Sequence, residues 1–295
     1  MQGQPANVDA KRPVSKPARP LPPGAWDAHS HVFGPFDRFP LPGERRYDPP
    51  FGPTEHYLAM LDRVGFERGV SVHASAYHLD LGCTADLIDR AKGRVYGTAV
   101  VPRTATETEL RAVKSRGFQG IRFTSNGRTT TESPGTLLLE NLLVMAPRLK
   151  AAGLHAEVWA KCELTVAAAD GLIACDLPIV FDHLGFFDAS RGVNDAVFQS
   201  FLRMLPKGNF WVKLTPVRVS TNWPDYDDAR PFHQAIVAAI PDRVVFGSDW
   251  PYISLDKNPP DVGHMVDLFD KWTPDAALRQ KVFVDNPKAL YDRKP

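Results

Sequence analysis

Short apolar runs alternate with longer amphipathic stretches along nearly the whole chain, the pattern of βα units around a parallel sheet. The runs predict eight strands: Gly24–His29, Gly69–Ala74, Val95–Val100, Gln119–Phe123, Leu154–Trp159, Pro178–Asp182, Asn209–Lys213 and Arg243–Gly247. Ile179-Val180-Phe181 and Val244-Val245-Phe246 are continuously apolar, as strands covered on both faces should be. Between them, helical spacing predicts Glu55–Val64 behind an N-capping Thr54, Thr106–Arg116, Leu137–Ala152, Asn194–Leu205 and Ala229–Ile240. Asp261–Trp272, Pro274–Val282 and Pro287–Tyr291 follow the last strand, placed to close the bottom and side of a barrel. Alternation alone fits a doubly wound open sheet as well as a (β/α)8 TIM barrel.

A chain of 295 residues with 43% hydrophobic and 23% charged positions can bury a full core as one domain of this class. We expect an extended or flexible arm over residues 1–23, with six prolines and four Lys/Arg, and the barrel over 24–295. The formal charge of +1 gives no electrostatic case for nucleic acid or an anionic membrane. No run reaches the length of a membrane span, and the arm lacks the apolar stretch of a secretory signal. Cys83, Cys162 and Cys175 are scattered as reduced thiols would be, and a cytoplasmic location is expected. Assembly as a homo-oligomer is left open.

In a parallel α/β protein, chemistry gathers at the carboxyl ends of the strands. The first run ends in His29-Ser30-His31, whose alternation puts both imidazoles on one face. The sixth ends in Asp182-His183, and the eighth in Ser248-Asp249-Trp250-Pro251. Two further strand ends carry arginine: Arg122 closes the fourth run, and Arg218 follows the seventh. Arg128 lies in the loop six residues beyond Arg122. An arginine at a barrel mouth needs an anion or a carboxylate partner, so this set suits a substrate with two acid groups.

These motifs resemble the amidohydrolase superfamily, with HxH on the first strand, a later His and an Asp closing the eighth strand. The chain is similar to the 2-pyrone-4,6-dicarboxylate lactonase branch over Asp27-Ala28-His29-Ser30-His31-Val32-Phe33-Gly34-Pro35 and Gly120-Ile121-Arg122-Phe123. Ile179-Val180-Phe181-Asp182-His183, Gly247-Ser248-Asp249-Trp250-Pro251 and Asn286-Pro287 match it too, and the likeness runs from about Pro23 to Tyr291. The resemblance implies an amidohydrolase-type TIM barrel that opens a small anionic lactone in the degradation of aromatic compounds. It assigns substrate contacts to Arg122, Arg128, Arg218, Tyr47 and Ser75. Trp159 stands where the family carries a substrate-contacting tyrosine, and Tyr252 where it often has histidine.

Within that reading Asp249 is the general base toward water, and His31 and His183, with His29 beside them, polarise the carbonyl. His29, His31, His183 and Asp249 also form a ligand set for one Zn²⁺, so a metal-free site and a mononuclear zinc site both stand. A binuclear centre is not expected, because Arg122 occupies the place of the bridging lysine. Two other classes remain: a lyase or isomerase of the same superfamily (an aromatic-acid decarboxylase or a sugar-acid lactone isomerase), and a non-catalytic barrel that binds small anions.

Overall fold

The computed structural model describes residues 3–9, 12–127 and 135–292. Eight parallel strands run in sequence order around one sheet: β1 (Trp26–Ser30), β2 (Arg68–Val72), β3 (Val95–Ala99), β4 (Phe118–Ser125), β5 (His155–Ala160), β6 (Ile179–Phe181), β7 (Phe210–Lys213) and β8 (Val244–Val245). Each matches a predicted run to within a few residues. The shortest, β8, is continued by the stretch after it. Ala28 N–H donates to Phe246 O, Asp249 N–H to His29 O and His31 N–H to Trp250 O, each at 2.8 Å. Those three bonds lace the last strand's extension to β1. The sheet is therefore a nearly closed barrel rather than an open doubly wound sheet, in a single domain.

Eleven α-helices lie among the described residues. α1 (Thr54–Val64), α2 (Gly82–Arg90), α3 (Glu107–Ser115), α4 (Leu139–Ala151), α5 (Cys162–Ala167) and α6 (Ala169–Ala174) cover the first half. α7 (Ala196–Met204), α8 (Arg230–Ala239), α9 (Val262–Trp272), α10 (Ala276–Gln280) and α11 (Asn286–Tyr291) complete the ring. Sequence periodicity misses α2 and the α5–α6 pair, which are short. It also misplaces one cap. Pro53 holds the N-cap of α1, and Thr54 lies inside the first turn with its hydroxyl donating to Asp86 Oδ2 at 3.0 Å. Thr106 and Glu109 form a reciprocal capping box on α3.

The barrel floor is sealed from below. Trp26, Val70, Val180 and Trp211 pack with Leu290 and Tyr291 of α11, and Tyr291 stacks on Trp26 with ring centroids 5.9 Å apart. The closing helices thus do close the bottom, and the interior below the site is a packed core. Described residues of the N-terminal segment are hydrogen-bonded to the rest of the chain. Gln4 exchanges two 2.8 Å hydrogen bonds with the backbone of Leu41, and Ser15 donates from N–H and Oγ to Asp261 Oδ1. Asp261 is itself the N-cap of α9, so one carboxylate ties the arm to the barrel wall.

Candidate active site

At the carboxyl ends of the strands a cavity of about 580 Å³ opens to solvent. Its wall includes His31, Arg122, His183, Arg218 and Asp249, together with Tyr47, Ser75 and Trp159. All of the expected contacts among the described residues therefore converge on one pocket. Arg128 lies outside the described residues. His29 is fully buried and sits behind His31, so it supports the wall instead of forming it. Sequence reading passed over Arg46, His73, Thr124 and Asn126, which also line the pocket.

The lacing of the last strand to β1 aims Asp249. Its N–H is held by His29 O, and its backbone takes a left-handed φ of 63°, which turns the carboxylate into the barrel. Beneath it, buried Asp27 accepts from Ser248 N–H at 2.7 Å and Ser248 Oγ at 2.8 Å, locking the preceding residue. Asp249 Oδ1 lies 3.6 Å from His29 Nε2 and 3.7 Å from His31 Nε2, and the two imidazole nitrogens are 3.4 Å apart. Asp249 Oδ2 receives Arg218 Nε at 2.6 Å, and Arg218 also donates to Ile253 O. Burial works to raise the Asp249 carboxyl, but the Arg218 charge outweighs it and holds the group well below the usual carboxylate range. Asp249 is ionised at any working pH.

The histidines are neutral. Burial lowers His31 and lowers His183 to about 4, and it lowers His29 well below 6.5 with help from the Lys213 charge. His31 Nδ1 donates to Val72 O at 2.7 Å, so in the neutral ring Nε2 carries a lone pair toward Asp249. His183 packs edge-on against Trp159, and its Nδ1 is buried without a hydrogen-bond partner among the described residues.

Under this layer lies a second one that the sequence did not announce. Lys213 at the end of β7 is wholly buried, with Nζ 2.7 Å from Glu157 Oε2, 3.3 Å from Asp182 Oδ1 and 3.0 Å from His29 Nδ1. Thr98 also donates to Glu157 Oε2. Arg122 reaches over this group, with Nη2 3.2 Å from Asp182 Oδ2 and its guanidinium 5.3 Å from the Trp159 ring centre. Burial and the charge of Asp182 push Glu157 up to about 7, against the pull of Lys213. Asp182 is held well below its ordinary value, because the Lys213 charge overcomes the burial that would raise it.

The spacing of His29 Nε2, His31 Nε2 and Asp249 Oδ1 tests the metal reading. Donors 3.4 to 3.7 Å apart match the edge of a tetrahedron with bonds of ~2.1 Å, the zinc geometry. The charges do not match. Arg122, Lys213 and Arg218 already balance Asp182, Glu157 and Asp249, and an ammonium stands on the His29 ring. In this hydrogen-bonding state the residues do not fit a resident divalent ion.

A parallel barrel with HxH on its first strand, a histidine after its sixth and an aspartate after its eighth is the architecture of amidohydrolases. The chain belongs to that family: the amidohydrolase family model matches residues 26–293. It is 37% identical to 4-sulfomuconolactone hydrolase of Rhizobium radiobacter over 281 residues, covering 92% of this chain and 91% of that one. It is 34% identical over 287 residues to 2-pyrone-4,6-dicarboxylate hydrolase of Comamonas testosteroni, covering 94% and 93%. An apo structure from Agrobacterium tumefaciens superposes with a TM-score of 0.80 at 26% identity, covering 95% of this chain and 99% of that one. A zinc-bound amidohydrolase from Burkholderia multivorans shares the fold at a TM-score of 0.68 and 16% identity, over 92% and 99%. No helix among the described residues is long and apolar enough to cross a membrane.

Proposed function

We propose that this chain hydrolyses a small lactone bearing two acid groups, of the 2-pyrone-4,6-dicarboxylate or 4-sulfomuconolactone type, in aromatic-compound breakdown. One observation carries the reading: the Asp249 carboxyl group and two arginines, Arg122 and Arg218, line the same cavity. The two relatives named for lactone hydrolysis, aligned over nine-tenths of the chain, supply the reaction class.

Arg122 and Arg218, with Arg128 as a third candidate, hold the acid groups and fix the ring. A water seated between Asp249 Oδ1 and the His31 Nε2 lone pair donates a hydrogen to each, which leaves its own lone pair free. This gives His31 an accepting role in place of the carbonyl-polarising one expected from sequence. Water oxygen bonds to the ring carbonyl carbon as Asp249 takes its proton, and His183 steadies the oxygen that gains charge. The ring C–O bond then breaks, and Asp249 returns the proton to the departing ring oxygen. A carboxylate tied to arginine is a weak base, so the Asp249–Arg218 bond matters. A substrate anion that draws Arg218 toward itself loosens that bond and strengthens the base where it is needed.

Absorbance assays with 2-pyrone-4,6-dicarboxylate, 4-sulfomuconolactone and a neutral lactone test this reading. Ring opening of at least one anionic lactone, with the neutral one far slower, is expected. Equal efficiency on the neutral lactone would remove the arginine clamp.

A further inference from the structure

We propose that Lys213 is a positioning residue: it fixes the proton of His29 on Nε2 and thereby keeps that nitrogen from ligating a divalent cation. The inference concerns the free protein and does not depend on which lactone is cleaved.

The argument is a count of donors and acceptors. An ammonium has three N–H donors and no acceptor. Lys213 Nζ has Glu157 Oε2 at 2.7 Å, His29 Nδ1 at 3.0 Å and, without a hydrogen bond, Asp182 Oδ1 at 3.3 Å, and the lysine side chain has no solvent exposure. Because the ammonium can only donate, His29 Nδ1 at 3.0 Å must be the acceptor, and the neutral ring carries its hydrogen on Nε2. The next link agrees. His31 Nδ1 is committed to Val72 O, so His31 Nε2 is an acceptor 3.4 Å from His29 Nε2. The chain Lys213 to His29 to His31 to Val72 then runs donor to acceptor at every step.

The other tautomer breaks that chain twice. With hydrogen on Nδ1, His29 could donate to Asp182 Oδ1 at 3.2 Å, but the N–H would also face the Lys213 ammonium at 3.0 Å. At its far side, the Nε2 lone pair would face the lone pair of His31 Nε2 at 3.4 Å. The favoured tautomer has one mismatch, the bare Nδ1 3.2 Å from Asp182 Oδ1, against two for the other, and each is unfavourable in a fully buried cluster. A zinc ligand needs this second tautomer, with Nε2 bare and its partner on Nδ1 orienting the ring. Lys213 therefore acts as the resident cation of the HxH pair. It fills by hydrogen bonding the place next to Glu157, Asp182 and His29 where a metal would supply charge.

Two measurements test the proposal. In the wild-type protein, ¹⁵N NMR of histidine side chains, with His29 assigned by its loss in His29→Gln, should show Nδ1 unprotonated and Nε2 protonated. A protonated Nδ1 overturns the proposal without any variant at Lys213. The second is the zinc dissociation constant, read by competition with a chromophoric chelator. Lys213→Met, of similar length and without charge, should bind zinc at least tenfold more tightly than wild type, whereas Lys213→Arg should stay within threefold of it. The gain should vanish in Lys213→Met combined with His31→Asn, because His31 is a ligand only in the mouth-side site. Persistence of the gain in the double variant would place the metal among the deeper carboxylates and contradict the proposal, as would equal zinc affinity in wild type and Lys213→Met. Lys213→Gln serves if the methionine variant does not fold.

Discussion

Replacing Arg122 by glutamine separates the substrate clamp from the scaffold. Arg122 is 6% exposed, and it contacts Asp182 through Nη2 while its Nε is buried with no hydrogen-bond partner among the described residues. The residue lines the cavity wall, where its head can meet a substrate anion. A hydrogen bond to a charged group contributes about 1.5–3 kcal/mol, so losing one anion contact should lower kcat/KM for a diacid lactone by ~10- to 150-fold. Asp182 keeps the Lys213 charge at 3.3 Å, so the variant should fold. The assay compares kcat/KM of wild type and Arg122→Gln on an anionic lactone and on its neutral ester analogue, with thermal melting as a control. The clamp requires a large loss on the anion and less than about a threefold change on the ester. An equal loss on both substrates refutes it and makes Arg122 a scaffold residue for Asp182.

Two stability experiments probe the barrel around the site. Asp261→Ala removes the N-cap of α9 and both bonds to Ser15, and should destabilise the protein by about 1–2 kcal/mol in urea unfolding while leaving kcat/KM unchanged. Asp261→Asn should recover most of that loss. Burial lowers His233 to about 3, with Thr273 Oγ1 the one hydrogen-bond contact of its side chain among the described residues. A folded pKa below the ordinary 6.5 means that the unfolded chain binds the extra proton, so the His233 contribution is full above 6.5 and declines as pH falls toward 3. The stability gap between wild type and His233→Gln should therefore narrow on acidification from pH 7 to pH 4.5, and a constant gap would show that His233 does not titrate this way.

How much of this was readable in advance depends on the kind of signal. The strands were legible because burial on both faces makes Ile179-Val180-Phe181 and Val244-Val245-Phe246 stand out from amphipathic surroundings. Their ends were less so, because β8 stops at Val245 and hands its pairing to irregular backbone through Trp250. Helix α2 and the α5–α6 pair escaped, and none of the three has a side-chain N-cap to mark its start. The mouth of the site was legible, since His31, His183, Asp249 and Arg122 each follow an apolar run. The layer below was not. Lys213 and His29 meet across 184 positions, and Thr98 and Glu157 across 59. Nothing local marks such pairs, and a lone Glu157 or Lys213 inside a strand reads as a break in the pattern. Only the barrel's closure shows them to be partners. One signal was available: an acid and a base at inward positions of two strands in a shared interior must find each other or a ligand.

The central claim is that Asp249 activates water against an anionic lactone, and the rate of ring opening by Asp249→Asn tests it most directly. Asparagine keeps the shape and the ring-binding arginines but cannot accept the proton. Single-turnover absorbance of 2-pyrone-4,6-dicarboxylate or 4-sulfomuconolactone, whichever the wild type opens, should fall by about 10²- to 10⁴-fold in the variant with substrate still bound. Turnover within about tenfold of wild type, or no ring opening of either lactone by the wild-type protein, would contradict the account.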